Sequence, residues 1–205
     1  IMISYNIIGI AGGTASGKTT LVSTLCNHYG NDISAIISQD SYYKDLSNLS
    51  LKQRTITNYD HPNSIDIDLF HENLTELKNG KVIEKPTYNF ETHTRNPSFE
   101  SISPKKLIFV EGTLIFHFRR LLNLMLVKVF LFAPENIRYN RRIERDVSER
   151  GRTIDSVINQ YKKTVLPMHQ KYVEPTKKLA DIHISSENNI KNSTKQVIQT
   201  IDRYL

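Results

Sequence analysis

The 205-residue chain has a single cysteine, Cys26. No internal disulfide can form, and a cysteine-stapled secreted scaffold is excluded. A chain this long buries enough surface to fold without such staples. Long apolar runs are missing too. The most apolar stretch, Leu121 to Phe132, covers 12 residues and contains Asn123 and Lys128, whereas a membrane-spanning helix needs about 20 apolar residues in a row. The opening Ile-Met-Ile-Ser-Tyr-Asn carries no basic segment ahead of an apolar one, so it does not read as a secretory leader. The expectation is a cytoplasmic protein with no membrane partner. Internal repeats, low-complexity tracts and linkers are also lacking, which predicts one domain over residues 1–205. Hydrophobic residues at 39% and charged residues at 23% describe a folded, soluble chain and not a disordered one.

Charge of one sign is in modest excess. The 27 Lys+Arg against 21 Asp+Glu leave +6, which favours anionic partners but leaves nucleic acid, nucleotide phosphates and a merely solvated surface open. The excess is uneven. Between Arg138 and Arg152 stand Arg138, Arg141, Arg142, Arg145, Arg150 and Arg152, with Glu144, Asp146 and Glu149 and no lysine. Arginine suits fixed, bidentate recognition of phosphate better than lysine does.

Short apolar runs alternate with helical patterns. Strands are predicted at Asn6–Ile10, Ile33–Ile37, Lys106–Val110, Val127–Phe132 and, more weakly, Asp181–Ile184. Helices are predicted at Thr19–Tyr29, Asp66–Lys78, Asn136–Glu149, Ile154–Val165 and Asn189–Leu205. In the first helix Leu21, Leu25 and Tyr29 recur four apart on one face. This alternation argues for an α/β fold with a parallel sheet flanked by helices. Lys81 to Ser103 breaks it: Pro86, Asn89, Asn96 and Pro97 interrupt short aromatic-bearing segments, as in a small hairpin insertion.

Between the first strand and the first helix, Gly12-Gly13-Thr14-Ala15-Ser16-Gly17-Lys18-Thr19 fits G-x-x-x-x-G-K-[ST] in full. Glycines permit a tight loop whose backbone N–H groups turn onto phosphate oxygens, and the helix N-terminus adds its dipole. Lys18 would neutralise the β- and γ-phosphates, and Thr19 would offer its hydroxyl to Mg²⁺. The context of strand before and helix after separates this match from a chance one.

Two acids follow strands on the same rim of the sheet, where ligands of open α/β sheets bind. Asp40 could accept the proton of an attacking hydroxyl or hold Mg²⁺ through water, or it could cap a following helix. Glu111 could stand on the metal side of the phosphate loop, or face solvent at a strand end. On the predicted helix from Asn136, Arg138, Arg141, Arg142 and Arg145 share one side, and Gly151 separates Arg150 from Arg152. That suits a lid over residues 136–165 that closes on phosphates and excludes water. The alternative is a solvated face paired with Glu144, Asp146 and Glu149. Arg150 and Arg152 are the first candidates for phosphate, Arg142 and Arg145 the second.

Together these pieces resemble the uridine kinase (uridine–cytidine kinase) family of P-loop nucleoside kinases. The resemblance rests on Gly9 to Thr19, Gln39-Asp40-Ser41-Tyr42-Tyr43, Asn58-Tyr59-Asp60-His61-Pro62, Pro86 to Arg95 and Arg145 to Arg152, in that order. It implies transfer of the ATP γ-phosphoryl group to the 5′-hydroxyl of uridine or cytidine. Lys18, Asp40 and Arg152 would be catalytic. Residues 12–20, from Gly12 through Thr20, and Arg150 would bind the donor, ATP or GTP. Asp40, Tyr43, Asp60, Tyr88, Phe90, His93, Arg142, Arg152 and Gln160 would bind the nucleoside, with Asp60 on the ribose cis-diol and the hairpin around the base. Thr19, Asp40 and Glu111 would attend Mg²⁺. The resemblance further implies a homotetramer and feedback inhibition by UTP and CTP, with no specific nucleic acid partner.

Two other readings compete. Phosphoribulokinase and pantothenate kinase share the phosphate loop, but the aromatic hairpin with Tyr88, Phe90 and His93 favours a flat base over a sugar phosphate. A P-loop switch that binds nucleic acid has only the charge and the arginine helix in its favour, and no readout module.

Overall fold

The computed structural model describes residues 4–187 and 190–205. The predicted start of the last helix, Asn189, and the first three residues of the opening segment lie outside the described residues. Seven strands form, in chain order β1 (Asn6–Gly12), β2 (Ser34–Ser38), β3 (Ile83–Asn89), β4 (Thr94–Ile102), β5 (Leu107–Gly112), β6 (Met125–Phe132) and β7 (Ile182–Ser185). Five of them make one sheet in the order β2-β5-β1-β6-β7, and every pairing in it is parallel. The remaining two, β3 and β4, pair antiparallel as a separate hairpin, in register from Ile83 opposite Ile102 to Asn89 opposite Thr94.

Parallel strands need helical crossovers, and the sequence supplies them. Helix α1 (Lys18–Tyr29) follows β1, α2 (Leu51–Thr55) and α3 (Ile67–Lys78) precede the hairpin, and the short α4 (Arg119–Leu122) leads into β6. Helix α5 (Glu135–Ser148) carries the arginines, α6 (Ile154–Gln160) follows Gly151, a short turn α7 (Leu166–Met168) comes next, and α8 (Ile190–Ile201) closes the chain. Among the described residues no helix is long and apolar enough to cross a membrane.

Strand periodicity divides the core in two. On β1, Ile7 and Ala11 face a core shared with Phe70, Leu74, Phe116 and Phe130. Ile8 and Ile10 face the other, with Leu21, Leu25, Phe109 and Val197. Both layers are fully buried, so the central strand reads as a continuous apolar run. Helix α1 therefore lies on one face of the sheet, and its first residue, Lys18, sits at the carboxyl edge beside the ends of β2 and β5.

Some elements differ from the sequence expectation. Helical backbone continues past Val165 through wider turns at Tyr161–Val165 and His169–Val173 and a tighter one at Glu174–Leu179. Pro167 and Pro175 stand within this helical stretch, where its turns change pitch. The short α2 arises from a reciprocal cap, in which Ser50 accepts from the Gln53 backbone and Gln53 from the Ser50 backbone.

Candidate active site

The phosphate loop is held open by backbone conformation. Gly17, at φ 90°, is left-handed at the N-cap of α1, where glycine carries no Cβ penalty. A Cβ on Gly12 would stand 2.1 Å from the Leu131 carbonyl oxygen of the neighbouring β6. A Cβ on Gly13 would meet Arg138 and His169 at 2.7 and 2.9 Å. The loop is thus wedged between β6 and the side chains of two later helical segments. Lys18 is buried, and its ammonium donates to the Gly13 carbonyl at 2.9 Å, folding over the loop. Burial pulls its pKa down, while Glu111 and Asp40 oppose that shift. Thr19 and Thr20 are exposed at the start of α1, and the Ser16 hydroxyl is buried with no hydrogen-bond partner.

The two strand-end acids separate in role. Ser38, and not Asp40, caps the single 3₁₀ turn Gln39–Tyr42, by accepting from the Asp40 backbone. Asp40 lies in that first turn with its carboxylate uncommitted to the cap. Glu111 does not face solvent: it is buried and accepts a 2.7 Å hydrogen bond from the Ser38 hydroxyl. Burial raises its pKa, with Lys18 pulling the other way and Asp40 adding to the rise. Asp40 therefore acts on Lys18 and Glu111 on one side. On the other it acts on Tyr43, Tyr88 and Asp60, whose pKa values are all raised, chiefly by burial.

Beyond Asp40 a cluster of rings packs together. Tyr43 meets Tyr88 at 5.1 Å and Tyr59 at 5.5 Å between ring centroids. His93 lies stacked on Tyr59 at 5.0 Å with planes 12° apart. It occupies the hairpin turn with a left-handed φ of 54°, and burial followed by the Arg152 and Arg54 charges lowers its pKa. Arg95 of β4 fastens the hairpin here, donating to the Tyr43 carbonyl at 2.9 Å and to Asp66 at 3.0 Å. Asp60 accepts from the Thr164 hydroxyl at 3.5 Å. A small cavity of about 10 Å³ between Thr14, Asp60, Thr113 and His169 joins the acceptor side to the phosphate loop.

The arginine helix is not a solvated face. Arg138 and Arg142 are buried. Arg142 donates to the Thr14 hydroxyl and to the Gln160 side chain, each at 2.9 Å, and so bridges the phosphate loop to α6. Arg152 donates to the same Gln160 oxygen and to the Ser156 hydroxyl. Arg150 lies 4.7 Å from the centroid of the Phe90 ring, and Phe90 turns its edge to Tyr88. Asp146, fully buried, takes up Arg142, Arg145, Arg150 and Arg152 at once.

Contacts and charges link the phosphate loop to Asp40 through Lys18, to Arg142 and Gln160 through Thr14, and Arg150 to the hairpin through Phe90. Phe90 departs in detail: it is 42% exposed and its ring serves Arg150. Sequence reasoning gave no role to Ser38, Tyr59, Arg95, His169 or Asp146. Tyr59 and Arg95 lie within the quoted motifs, and Asp146 stood out as an acid among arginines. His169 has no local signal for its place at the site, because the Gly13 it lies against is more than a hundred residues upstream.

A phosphate loop at the central strand of a β2-β5-β1-β6-β7 sheet, with a buried lysine, two strand-end carboxylates and an arginine helix over the edge, defines the P-loop kinase class. Within that class, residues 7–192 match the Phosphoribulokinase / Uridine kinase family, and the chain belongs to it. Among similar proteins, the uridine kinase of Brevibacillus brevis is 48% identical over 178 residues, covering 87% of this chain and 83% of that one. The uridine kinase of Clostridium novyi is 45% identical over 199 residues, covering 97% and 96%. The phosphoribulokinase structure from Rhodobacter spheroides superposes with a TM-score of 0.65 at 15% identity, over 90% of this chain and 71% of that one. At that identity it speaks to the fold alone.

Proposed function

We propose that this protein transfers the γ-phosphoryl group of ATP or GTP to the 5′-hydroxyl of uridine or cytidine, a step of pyrimidine salvage in the cytoplasm. The relatives at 44–48% identity over most of the chain carry the name uridine kinase, and that kinship supports the activity. One observation carries the acceptor class. The rings of Tyr43, Tyr59, Tyr88 and His93 gather beside Asp40, which is coupled at the same time to Lys18. Such rings offer faces and edges on which a flat base can stack, and its ribose would lie toward Asp40 and Asp60.

In this reading the phosphate-loop N–H groups and Lys18 hold the donor phosphates, with Arg150 and Arg152 over them. Asp40 accepts the proton from the 5′-hydroxyl as its oxygen attacks phosphorus, and the bond from phosphorus to the bridging oxygen of ADP breaks in line. Asp60 accepts from the two ribose hydroxyls. Tyr88, Phe90 and His93 enclose the base with Tyr43, and Arg142 and Gln160 complete the acceptor side.

Thr19, Asp40 and Glu111 offer only hard oxygen donors. No group of three His, Cys, Asp or Glu side chains among the described residues could hold a metal by itself. Such a sparse oxygen set suits Mg²⁺, which keeps water and substrate phosphates in most of its positions. Bound there, Mg²⁺ supplies neutralisation of phosphate charge. The family resemblance extends the proposal to a homotetramer inhibited by UTP and CTP.

The test is coupled ADP release with ATP and Mg²⁺, comparing uridine, cytidine, adenosine, ribulose 5-phosphate, pantothenate and no acceptor. ADP that appears only with the pyrimidine nucleosides is the expected result. ADP with a different acceptor would overturn the base recess, and ADP regardless of acceptor would make the protein an ATPase or switch.

A further inference from the structure

Asp146 has an unusual charge environment. Its side chain is fully buried on α5, and one carboxylate faces four guanidinium groups. Its two oxygens are used differently. Oδ1 accepts two hydrogen bonds from Arg145, at 2.8 and 3.0 Å, and has Arg150 at 3.7 Å. Oδ2 has Arg142 and Arg152 at 3.5 Å each, yet it accepts no hydrogen bond. The Asp146 backbone carbonyl also takes the Arg152 N–H at 3.1 Å, across the left-handed Gly151.

An isolated structural ion pair needs one arginine per carboxylate, because a buried charge is tolerated only when compensated. Four against one leaves a positive surplus, which Asp60 offsets only in part through Arg142 and Arg152. Burial and the charges of Arg142 and Arg150 press the Arg152 pKa down, and Asp146 is the strongest opposing influence. The carboxylate thus gathers guanidinium groups that would otherwise repel one another, while its Oδ2 draws two of them without saturating a hydrogen bond. The surplus suits a polyanion such as a triphosphate.

We propose that Asp146 is a positioning residue that acts through Arg152 and Arg142, holding them where the transferring phosphoryl group develops charge. This rests on the nucleoside kinase reading above. Arg145 is locked to Oδ1 and serves as the fixed strut of the cluster. Arg142, shared with Thr14 and Gln160, ties the same carboxylate to the phosphate loop. Without the negative charge the guanidinium groups separate, and the phosphate-facing geometry is lost while the donor loop stays intact.

A double-mutant cycle tests this. Asp146→Asn keeps the shape and removes the charge. It is expected to lower kcat about a hundredfold, the scale of removing one preorganised charge-stabilising group, with the KM for ATP changed less than about threefold. In an Arg152→Ala background the same substitution should lower kcat by less than about threefold, since the group it positions is gone. In a Lys81→Ala background it should cost the full hundredfold, because that exposed side chain pairs with Glu76 and touches none of the cluster. Asp146→Glu, which restores the charge, should recover part of the loss. Equal losses in the Arg152→Ala and wild-type backgrounds would overturn the proposal. So would failure of both the Asn and Glu variants to fold, which would assign the carboxylate to the fold. Failure of the wild-type protein to phosphorylate any nucleoside would instead sink the functional reading. The cycle would then be measured on whichever acceptor yields ADP.

Discussion

The donor end of the site is made of backbone, and the acceptor end is made of side chains from far apart in the sequence. The phosphate loop occupies eight consecutive residues. Its shape is set by a left-handed Gly17 and by a Gly12 whose Cβ would strike the Leu131 carbonyl. The proposed acceptor side draws Tyr43 from the turn after β2, Tyr59 and Asp60 from a loop, Tyr88 and His93 from the hairpin and Arg152 from beyond α5. It is held by single tethers such as Arg95 on the Tyr43 carbonyl. A backbone-built site tolerates almost no substitution and announces itself as a contiguous motif. A recess built from converging side chains can be retuned one residue at a time. On the proposed roles, the phosphoryl donor is fixed by backbone geometry, while the choice of acceptor is left to exchangeable residues.

The largest effect should come from the residue on which both ends converge. Lys18 reaches into the loop through Gly13 and feels Glu111 and Asp40 from the acceptor edge. Lys18→Ala should lower kcat by about a thousandfold or more, because it removes the main positive charge on the donor phosphates. Its nucleoside affinity, measured by calorimetry, should stay within about threefold of wild type. A variant that keeps a tenth of the wild-type rate would break the division between the ends.

Next comes Asp40, which stands on the boundary. Asp40→Asn preserves size but cannot take a proton, and kcat should fall about a hundredfold to a thousandfold. ATP binding, read by fluorescence displacement of a labelled nucleotide, should be nearly unchanged. Near-normal turnover would remove Asp40 from the proton path. His93→Ala should act on the acceptor end alone: the KM for uridine should rise about tenfold to thirtyfold, about 1.4–2 kcal/mol of lost contact. The KM for ATP should not move, and equal changes in both constants would place His93 outside the recess.

How much of this was legible from the sequence follows the same division. The strand-loop-helix context of residues 6–29 was readable from glycines, apolar runs and the i, i+4 pattern of Leu21 and Leu25, because all of its determinants are local. The hairpin was readable from its prolines and asparagines. The roles of Tyr43, Asp60 and His93 came from resemblance, since nothing within a few residues of each says which rings they will meet. Glu111 illustrates the limit. Its position after an apolar strand was legible, but its burial depends on Ser38, which arrives from a neighbouring strand 73 residues away in sequence. The arginine helix left two readings open, a lid and a solvated face. Its amphipathic charge spacing fits an exposed face, and only the packing of α6 and the phosphate loop against it buries Arg138 and Arg142. The helical continuation through residues 166–179 had no reading from the sequence, and its two prolines, Pro167 and Pro175, weaken any helical pattern there.

The smallest effect concerns the joint between the two ends. His169 comes from the helical stretch beyond the lid and presses its ring against Gly13 of the phosphate loop. Its side chain is 11% exposed. Burial, with Arg138 and Lys18 adding to it, lowers its pKa from 6.5 to about 4. The exposed Glu174 carboxylate 3.3 Å away does not reverse this. The unfolded chain therefore takes up this proton near pH 6.5, while the folded one resists until about pH 4. Protons are bound more by the unfolded state over that window, so the stabilisation is present above pH 6.5 and is lost as the pH falls toward 4. Asp60 and Glu111 have raised pKa values, and acidification relieves their cost of burial, so they oppose the loss. The histidine contribution must therefore be isolated by substitution. Between pH 7 and pH 5 the wild-type protein should lose about 2 kcal/mol more unfolding free energy than His169→Gln, by urea titration at each pH. Parallel pH dependence in the two proteins would show that the folded protein takes up this proton as readily as the unfolded chain, and that the ring is not held neutral against the phosphate loop.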